Sequence, residues 1–377
     1  MHFLIDARLA LPGQMTGIGR YLVGLAQGFA GLNGPDSFEF WVQAGLPAGH
    51  ALRRLDSPRL RLHALPLAHM SLRAQWAIPS ALRRARYDLF HYPHFDLPLL
   101  APGPLVATLH DLKYLARPDF FPQFGRARRL AMALLMRSAA RRARRLIVVS
   151  EFTRQDVLRR LGADPQRVQV IYEGVDERCF QPLPDSALQA VRRSYRLDQP
   201  YILFLGERRP HKNIPGLLRA FAALPAETRT AHLLVLAGNP YAGDQGLRQL
   251  AAQLDIAGCV RWIDNPPDAD LPALYQAAAA LALLSYYEGF GLPVLEAMAS
   301  GVPVVISDRT ALPEVAGEAA LAVPPDDPAA AAAALQAVLP GGAQRLRCIA
   351  AGRARAAGFT WQRCAEQTLE VYHAALA

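Results

Sequence analysis

Two glutamates, Glu288 and Glu296, enclose a short segment whose residue types suit an anion beside hydroxyl groups. Gly289 and Gly291 lack side chains, so the backbone here can come close to a ligand. Pro293 is typical of the first turn of a helix, where free backbone amides attract phosphate. Because carboxylates accept hydrogen bonds from hydroxyls, the segment predicts a site for a nucleotide sugar. An ordinary strand–turn–helix capped by Glu288 is the structural alternative.

A second cluster, from Gly206 to Asn213, places cations between an apolar strand pattern and a helix pattern. Arg208 and Arg209 can each bind phosphate oxygens through two parallel hydrogen bonds, and Lys212 supplies a point charge. Three cations and a glycine at the end of a strand predict a clamp for a diphosphate. A basic surface turn is the alternative, and it explains any single residue better than the group.

Both segments belong to a chain in which short apolar runs alternate with longer helical patterns. This alternation is typical of βαβ units with parallel sheets, so the predicted fold class is α/β. In the first half we expect strands at 3–5, 38–42, 60–64, 89–92, 105–109, 146–149 and 168–171. In the second half we expect them at 201–205, 232–237, 260–263, 280–284, 302–306 and 321–323.

Polar residues follow the expected strands in both halves of the chain. His110 and Asp111 follow one strand, Ser150 follows the next and Glu173 comes after a third. In open α/β sheets, ligands bind at the carboxyl ends of the strands. We therefore expect one ligand-binding rim in each half, with the two rims facing each other across a cleft.

The alternation is interrupted once, at 181–200, where prolines stand near both ends and no strand pattern occurs. Such a segment is typical of a domain boundary. The prediction is an N-terminal domain 1–180, a linker 181–200 and a C-terminal domain 201–355. Residues 356–377 predict a terminal helix whose apolar face packs back on the N-terminal domain.

The composition sets limits on the class of protein. With 377 residues, 52% of them hydrophobic and 19% charged, the chain can bury two cores and is not disordered. The chain start lacks the pattern of a signal peptide, and no apolar run is long enough to cross a bilayer. The four cysteines are scattered, as expected for reduced thiols in the cytoplasm: Cys179, Cys259, Cys348 and Cys364.

The net charge of +9 has a local source. Between Arg126 and Arg145 lie eight arginines, interleaved with leucines and methionines and without a carboxylate. The pattern predicts a basic amphipathic helix that suits an anionic membrane surface, and a solvated helix face is the alternative. The chain has no nucleic-acid-binding motif, and we expect no nucleic acid as a partner.

Several segments resemble the retaining GT-B glycosyltransferases of family 4. They are GIGRY (17–21), TLHDLKYL (108–115), IVVSEFTRQDV (147–157), VIYEGVD (170–176), FLGERRPHKNI (204–214), LVLAGNP (234–240), SYYEGFGLPVLEAMASGVPVV (285–305) and ALPEVAGEAALAVPPDD (311–327). The resemblance covers nearly the whole chain in the expected order. It implies two Rossmann-like domains facing across a cleft and sugar transfer from a nucleotide-sugar donor without a metal or another cofactor.

The resemblance also implies roles for residues of the C-terminal half. Glu288 would contact hydroxyls of the donor sugar, and Glu296 the ribose. The backbone amides of Phe290, Gly291 and Leu292 would hold phosphate or sugar oxygens.

Lys212 would neutralise the leaving diphosphate. Many members of the family have an arginine directly after the glycine that corresponds to Gly206, but Glu207 stands there in this chain. Arg208 is therefore expected to share the task of Lys212, with Arg209 in reserve.

In the N-terminal half, the resemblance implies that Gly17 and Gly19 form a loop over the donor phosphates. His110 would lie beside the donor sugar and the acceptor. Asp111 could orient His110 as a base, and Asp111 and Ser150 are placed on the acceptor side.

The expected reaction is front-side transfer of a hexose or deoxyhexose with retained configuration. A mannose-like donor is favoured, and the acceptor would be a glycan or a lipid-linked glycan in polysaccharide or lipopolysaccharide synthesis. The enzyme would be cytoplasmic and peripheral on the inner face of the plasma membrane, bound through 126–145. A soluble transferase or synthase with a small acceptor and a noncatalytic nucleotide-sugar-binding protein remain open alternatives.

Two further patterns could indicate a metal. Asp268 and Asp270 form an Asp-x-Asp pair, but N-capping of a helix that starts at Leu271 explains them better. A second set, His91, His94 and His110, spans different strands or loops and matches no zinc motif. No metal site is therefore expected.

Overall fold

The computed structural model describes residues 1–11, 16–55 and 57–377. The chain divides into two compact units, Met1–Gly174 with Phe359–Ala377, and Val175–Gly358. The boundary therefore comes after Gly174 instead of falling in the predicted linker 181–200. That segment contains a helix, Asp185–Ser194, and belongs to the second unit.

Hydrogen bonds explain why the predicted linker is part of a domain. Arg192 donates to the carbonyl of Ala277 at 2.9 Å, and the Tyr195 hydroxyl donates to Asp270 at 2.6 Å. The backbone amide of Leu183 donates to the Gln276 side chain at 2.9 Å. The prolines at 181–200 therefore mark a surface segment that lies on the second unit.

The first unit has a parallel sheet in the order β3-β2-β1-β4-β5-β6-β7. Its strands are β1 His2–Asp6, β2 Ser37–Gln43, β3 Leu60–Leu65, β4 Leu89–Tyr92, β5 Leu105–Leu109, β6 Arg145–Val148 and β7 Val168–Val170. Its helices are α1 Gly17–Gly31, α2 Leu72–Arg84, α3 Lys113–Ala116, α4 Arg126–Arg142, α5 Glu151–Leu161 and the C-terminal Trp361–Leu376, with 3₁₀ turns at Ala51–Arg54, Pro118–Phe120 and Pro165–Arg167.

The second unit has a parallel sheet in the order β10-β9-β8-β11-β12-β13. Its strands are β8 Tyr201–Leu205, β9 Leu233–Gly238, β10 Val260–Asp264, β11 Ala280–Leu283, β12 Val304–Ser307 and β13 Leu321–Val323. Its helices are α6 Asp185–Ser194, α7 Ile214–Ala222, α8 Ala226–Ala231, α9 Asp244–Gln253, α10 Leu271–Gln276, α11 Leu292–Ala299, α12 Leu312–Ala316, α13 Pro328–Val338 and α14 Arg345–Ala356; the C-terminal helix Trp361–Leu376 is α15. The 3₁₀ turns are Glu177–Cys179, Pro210–Lys212, Ala257–Cys259, Asp268–Asp270 and Gly317–Ala319.

Every strand predicted from the sequence is present, with ends that differ by one or two residues. The central strands are mostly apolar because helices cover both faces of a parallel sheet, with His91 in β4 and Thr108 in β5 as buried polar exceptions. All residues of β5 and β8 are buried, for example. The α/β fold class is therefore confirmed for both units.

The C-terminal helix α15 packs on α1 of the first unit. A Cβ atom on Gly24 would lie 2.1 Å from the Trp361 ring, and one on Gly28 would lie 2.3 Å from the Trp361 carbonyl oxygen. Since real Cβ atoms never come so close, the two glycines are needed for this helix contact. Of the predicted terminal segment 356–377, Phe359–Ala377 thus belongs to the first unit and contributes to its core.

A buried hydrogen-bond chain links α15 to the sheet. The Tyr372 hydroxyl lies 2.6 Å from His91 Nδ1, and His91 Nε2 lies 2.7 Å from the Thr108 hydroxyl. Thr108 in turn lies 3.2 Å from the Tyr21 hydroxyl on α1. All four residues are 0% exposed, so these hydrogen bonds satisfy polar groups that water cannot reach.

Within the described residues, no helix combines the length and apolarity that a membrane span requires. The arginine-rich segment forms α4 as predicted, but its apolar residues divide between two faces. Met132 and Met136 are buried, whereas Leu130 and Leu134 are 59% and 55% exposed.

His91 should make stability depend on pH. Burial, with a smaller contribution from His110, lowers the pKa of His91 from 6.5 to about 3. The unfolded chain takes up a proton on His91 below its ordinary pKa, and the folded chain does not. We therefore expect the free energy of unfolding to fall by up to about 1.4 kcal/mol per pH unit between about pH 6 and pH 4.

Urea denaturation at several pH values, followed by circular dichroism, measures this slope. His91→Asn removes the titrating imidazole and should flatten the slope relative to the wild type. His63→Asn is the matched control, because the His63 side chain is 56% exposed. Equal slopes for the wild type and His91→Asn would show that His91 is not the source.

Candidate functional site

An ion pair in the second unit joins the two segments that the sequence singled out. The Lys212 ammonium lies 2.6 Å from a carboxylate oxygen of Glu288, although 76 residues separate them in sequence. Lys212 ends the 3₁₀ turn after β8, and Glu288 lies between β11 and α11. The side chains are only 15% and 10% exposed, so the pair is well defined.

Several hydrogen bonds hold Glu288 in this position. The buried Ser285 hydroxyl donates to the same carboxylate oxygen at 2.7 Å, and the Glu288 backbone amide donates to the Thr310 hydroxyl at 3.1 Å. The backbone amide of Tyr286 donates to the carbonyl of His211 at 2.8 Å. The turn that carries Lys212 and the loop that carries Glu288 are therefore connected through backbone as well as side chains.

Helix α11 begins directly after this loop. Gly291 is its N-cap residue and has φ +112°, a conformation that favours glycine. A Cβ atom there would also lie 2.7 Å from Leu312. The helix dipole gives the region at the start of α11 a partial positive charge, and the Val294 amide there donates to the Gly291 carbonyl at 2.9 Å. Phe290 and Leu292, which flank Gly291, are both buried.

Glu296 lies in the second turn of α11 and is 5% exposed. Its carboxylate accepts a hydrogen bond from the Tyr275 hydroxyl on α10 at 2.5 Å. Tyr275 is itself buried, so it fixes the Glu296 side chain from the protein side. The second carboxylate of the predicted pair is thereby positioned on the same helix whose start suits an anion.

Gly206 lies at the carboxyl end of β8, beside Gly238 at the end of β9. A Cβ atom on Gly238 would lie 2.0 Å from the Gly206 carbonyl oxygen, and Gly238 has φ +132°. The two strand ends can come this close only because Gly238 has no side chain. This contact shapes the loop that leads to Lys212.

The structure corrects the role expected for Arg208. Its side chain is fully buried, and its guanidinium forms ion pairs with Asp244, at 2.7 Å, and with Asp264. It also donates to the carbonyls of Leu236 and Gly238 at 3.3 Å. With its donors used inside the protein, Arg208 is a structural residue and not part of a diphosphate clamp.

Arg209, the residue held in reserve, has a different environment. Its guanidinium pairs with Glu207 at 2.7 Å and lies over the Tyr241 ring. The side chain is 31% exposed, and that of Glu207 is 40% exposed. Arg209 therefore remains accessible to a ligand, whereas Arg208 does not.

In the first unit, His110 pairs with Glu173. His110 Nδ1 lies 3.0 Å from a Glu173 carboxylate oxygen, and the Tyr21 ring contacts the imidazole edge-on at 4.8 Å between centroids. Both side chains of the pair are mostly buried. In this geometry the His110 Nδ1 proton points at the carboxylate, and Nε2 is left to act on another group.

The sequence placed His110 at the right strand end but missed its partner. Asp111 does not orient His110, because its carboxylate pairs with Lys113 at 2.9 Å and accepts the Lys113 backbone amide at 3.1 Å. Burial alone would raise the pKa of Asp111, but the Lys113 contacts outweigh it and leave the pKa below its ordinary value. The position of Glu173 after β7 was the available signal for its role.

Ser150 is a helix cap. Its hydroxyl accepts the Thr153 backbone amide at 3.0 Å at the start of α5, and the residue is fully buried. This geometry explains Ser150 without a ligand.

Gly17 and Gly19 lie in the first turn of α1 and do not form a loop there. The Thr16 hydroxyl accepts the Gly19 amide at 3.1 Å, so the helix has an ordinary N-cap. Among the residues that the structure describes, no atom lies within 4 Å of a Cβ built on Gly17. Residues 12–15, directly before this helix, are outside the described part of the chain.

Asp270 occupies the N-cap position of α10, which starts at Leu271 as predicted, but its side chain makes no capping hydrogen bond. Asp268 accepts from Arg178 at 2.7 Å, and Asp270 accepts from Tyr195. Among the three histidines considered for zinc, His91 belongs to the buried hydrogen-bond chain and His110 to the pair with Glu173.

Two family descriptions match the two halves of the chain. Residues 15–178 match "Glycosyltransferase Family 4", and residues 189–355 match "Glycosyl transferases group 1". The O-antigen chain mannosyltransferase B of Escherichia coli is 35% identical over 324 residues, which cover 86% of this chain and 83% of that protein. An MMP alpha-(1->4)-mannosyltransferase of Mycolicibacterium hassiacum is 32% identical over 332 residues, covering 81% and 75%.

The fold has close structural relatives as well. A sucrose-phosphate synthase from Thermosynechococcus elongatus superposes with a TM-score of 0.77 over 99% of this chain and 98% of that one, at 22% identity. The two parallel-sheet α/β domains and this likeness agree with the GT-B fold. The chain belongs to the GT-B glycosyltransferases. The predicted fold class and the predicted enzyme class are both confirmed.

The buried ion pairs of Arg208 predict a stability phenotype. Arg208→Met leaves Asp244 and Asp264 without their cation, and we expect a loss of about 2–4 kcal/mol in the free energy of unfolding. The matched control is Arg209→Met, which should change stability by less than about 0.5 kcal/mol because its ion pair is at the surface. Urea denaturation measures both. An Arg208→Met protein of normal stability with poor nucleotide binding would instead support the clamp role.

Proposed function

We propose that this glycosyltransferase transfers a hexose or deoxyhexose from a nucleoside-diphosphate sugar to a glycan or lipid-linked glycan, with retained anomeric configuration. Its place would be polysaccharide or lipopolysaccharide synthesis. The observation that carries the proposal is the Lys212–Glu288 pair directly before the start of α11.

This arrangement suits a diphosphate attached to a sugar. A cation and a helix start attract the phosphates. Glu288 and Glu296 provide carboxylate oxygens for hydroxyl groups of the sugar and the ribose. Both carboxylates are held by protein hydroxyls, Ser285 and Tyr275, so little side-chain entropy is lost when a ligand binds.

The bond that breaks joins the anomeric carbon to the diphosphate, and its electron pair goes to the leaving phosphate oxygen. Lys212 and the amides at the start of α11 stabilise the charge that develops there. The acceptor hydroxyl forms the new bond on the same face of the sugar, and its proton passes to a phosphate oxygen. No metal is needed in this scheme, because the protein itself supplies the positive charge.

We assign His110 to the acceptor side of the reaction. Its pairing with Glu173 fixes the orientation of the ring and directs Nε2 away from the carboxylate. An imidazole held in this way can accept a hydrogen bond from an acceptor hydroxyl. Glu173 is then a positioning residue that the sequence did not reveal.

Mannose is the favoured sugar. Two relatives that match over most of this chain carry mannosyltransferase in their names. The likeness to a sucrose-phosphate synthase is a likeness of fold, at 22% identity, and it does not favour a small acceptor.

We also propose that α4 binds an anionic membrane surface. Its exposed face carries Leu130 and Leu134 together with Arg126, Arg137 and Arg141, and the helix contains no carboxylate. Arginines beside exposed leucines are typical of helices that lie in a lipid headgroup region.

Neighbouring segments extend this surface. The Arg142 guanidinium donates to the carbonyls of Pro98 and Ala101 at 2.7 and 2.6 Å, which joins α4 to a loop whose Leu99 and Leu100 are half exposed. Leu99 in turn donates its backbone amide to Gln75 on α2. On that helix, Leu72 and Trp76 are 86% and 70% exposed.

Nucleotide binding tests the donor site. Lys212→Ala should weaken binding of a nucleoside diphosphate about 10–100-fold, since charge-assisted contacts contribute about 1.5–3 kcal/mol. Glu296→Ala should weaken it about 10-fold. Glu288→Ala should lower turnover about 100-fold or more while the fold survives. Calorimetry with GDP, UDP, TDP and ADP measures the affinities, and a thermal-shift screen with the sugar nucleotides should show the largest shift with GDP-mannose.

Lys113→Ala is the matched control, because Lys113 is the only other lysine of the chain and already pairs with Asp111. The affinity of the Lys113→Ala variant for the nucleoside diphosphate should stay within about twofold of that of the wild type. Unchanged affinity in both Lys212→Ala and Glu296→Ala would refute the placement of the donor. Binding without transfer or hydrolysis of any donor would favour a noncatalytic binding protein.

Membrane binding can be tested separately. Replacing Arg126, Arg137 and Arg141 by glutamine should weaken partitioning onto phosphatidylglycerol vesicles about 100-fold, since each arginine near an anionic surface contributes about 1 kcal/mol. The control replaces Arg193, Arg196 and Arg347, which are exposed in the second unit and carry the same total charge. Co-sedimentation with vesicles measures both. Equal loss in the two triple variants would point to net charge and not to α4.

A further inference from the structure

A cluster of buried polar side chains lies at the sheet edge where β1 and β4 are neighbours. In the sheet, β2 lies on one side of β1 and β4 lies on the other. The order of the strands therefore reverses its direction between β1 and β4. In open α/β sheets such a point is a preferred place for ligands. The proposed transfer chemistry uses none of the residues in this cluster.

The first part of the cluster is an internal ion pair. Arg8 and Asp6 follow or end β1 and are 0% and 3% exposed. The Arg8 guanidinium donates to both carboxylate oxygens of Asp6, at 3.0 and 2.7 Å. This pair balances its own charge and is explained without a ligand.

The second part of the cluster is built around the carboxylate of Asp96. Asp96, 3% exposed, has two imidazoles and a phenol as its close partners, and the Arg8 guanidinium acts on it only through its charge. His94 Nδ1 lies 2.5 Å from its Oδ1 atom, and His69 Nε2 lies 3.4 Å from the same oxygen. His69 comes from the segment between β3 and α2, whereas His94 and Asp96 follow β4.

The distances in this cluster suit a shared metal ion. One ligand atom from each of His69, His94 and Asp96 can be chosen so that all lie within 4.8 Å of one another. The Tyr92 hydroxyl is 3.3 Å from His69 Nε2 and 3.2 Å from Asp96 Oδ1. Ligand atoms around a tetrahedral zinc ion with bonds of about 2.0 Å are about 3.3 Å apart. Hydrogen bonds between oxygens are usually shorter, about 2.7–2.8 Å.

We propose that His69, His94 and Asp96 form a binding site for a divalent transition metal of the zinc class. Two imidazole nitrogens and a carboxylate oxygen are a donor set that suits zinc better than magnesium or calcium. The close contact between His94 and Asp96 is a hydrogen bond, and the metal replaces its proton, which is released to solvent. The Tyr92 hydroxyl or a water molecule completes the coordination.

Such an ion would connect two loops of the first unit. His69 lies three residues before α2, and His94 and Asp96 lie in the loop that leads to Leu99 and Leu100. Gln75 on α2 already donates to the carbonyl of Asp96 at 3.2 Å. The metal would therefore add a cross-link within the same part of the first unit and stabilise the folded chain when it binds.

The test measures zinc binding to the whole chain. Competition with a chromophoric zinc chelator should show one tight site in the wild type. His94→Ala and Asp96→Asn should each weaken binding at least tenfold. Cobalt gives a second measurement that needs no variant, since tetrahedral coordination by nitrogen and oxygen produces visible absorption bands in the wild-type protein.

His63→Ala is the matched control. His63 also lies near a carboxylate, since its Nδ1 atom is 4.0 Å from an oxygen of Glu39. It is exposed, however, and it is not one of the three proposed metal ligands. The control should bind zinc as the wild type does, and circular dichroism without metal should show that all variants are folded.

Three outcomes would overturn the proposal: no zinc binding by the wild type at micromolar concentration, zinc affinity as high as that of the wild type in both His94→Ala and Asp96→Asn, or loss of zinc binding in His63→Ala. The result is independent of donor binding, because none of these residues belongs to the second unit.

Discussion

The contact between Lys212 and Glu288 is the interaction on which the proposed donor site depends. A carboxylate buried beside the start of a helix is costly unless a cation and hydrogen-bond donors accompany it. Lys212 and Ser285 meet that requirement at 2.6 and 2.7 Å. The pair also holds the Lys212 ammonium close to the start of α11, whose dipole end is positive as well. In the proposed donor site, a diphosphate would be attracted by both positive charges.

The geometry of the second sheet makes this contact possible. Strands β8 and β11 are parallel neighbours, so the turn after one and the loop after the other reach the same edge. Glycines at the strand ends let the backbones approach, and Gly238 against Gly206 is the tightest case. Arg208 strengthens this edge from inside through its two aspartates, which explains why it is unavailable to a ligand.

In the first unit, too, side chains that follow parallel strands meet at the carboxyl edge of the sheet, but the residue types differ. His110 and Glu173 follow strands that are separated in the sheet by β6, and their side chains meet at the carboxyl edge. The cluster of His69, His94 and Asp96 lies at the other side of β4 from this pair. Helix α15 is linked to β4 and β5 through the hydrogen bonds of Tyr372, His91 and Thr108, so a distant C-terminal segment bears on the position of β5.

The sequence by itself determined the strands, the α/β class, the enzyme class and the positions of Lys212, Glu288, Glu296 and His110 in local motifs. Those features depend on short-range patterns: apolar runs, glycines and helix-start residues close together in the chain. Tertiary structure alone decided which charges meet. Arg208 and Arg209 are adjacent and chemically equal in sequence, but only packing shows that one is buried against two aspartates. Likewise, Glu173 and His69 gain the partners His110 and Asp96 from segments 63 and 27 residues away, because strand order and not sequence distance sets which side chains touch.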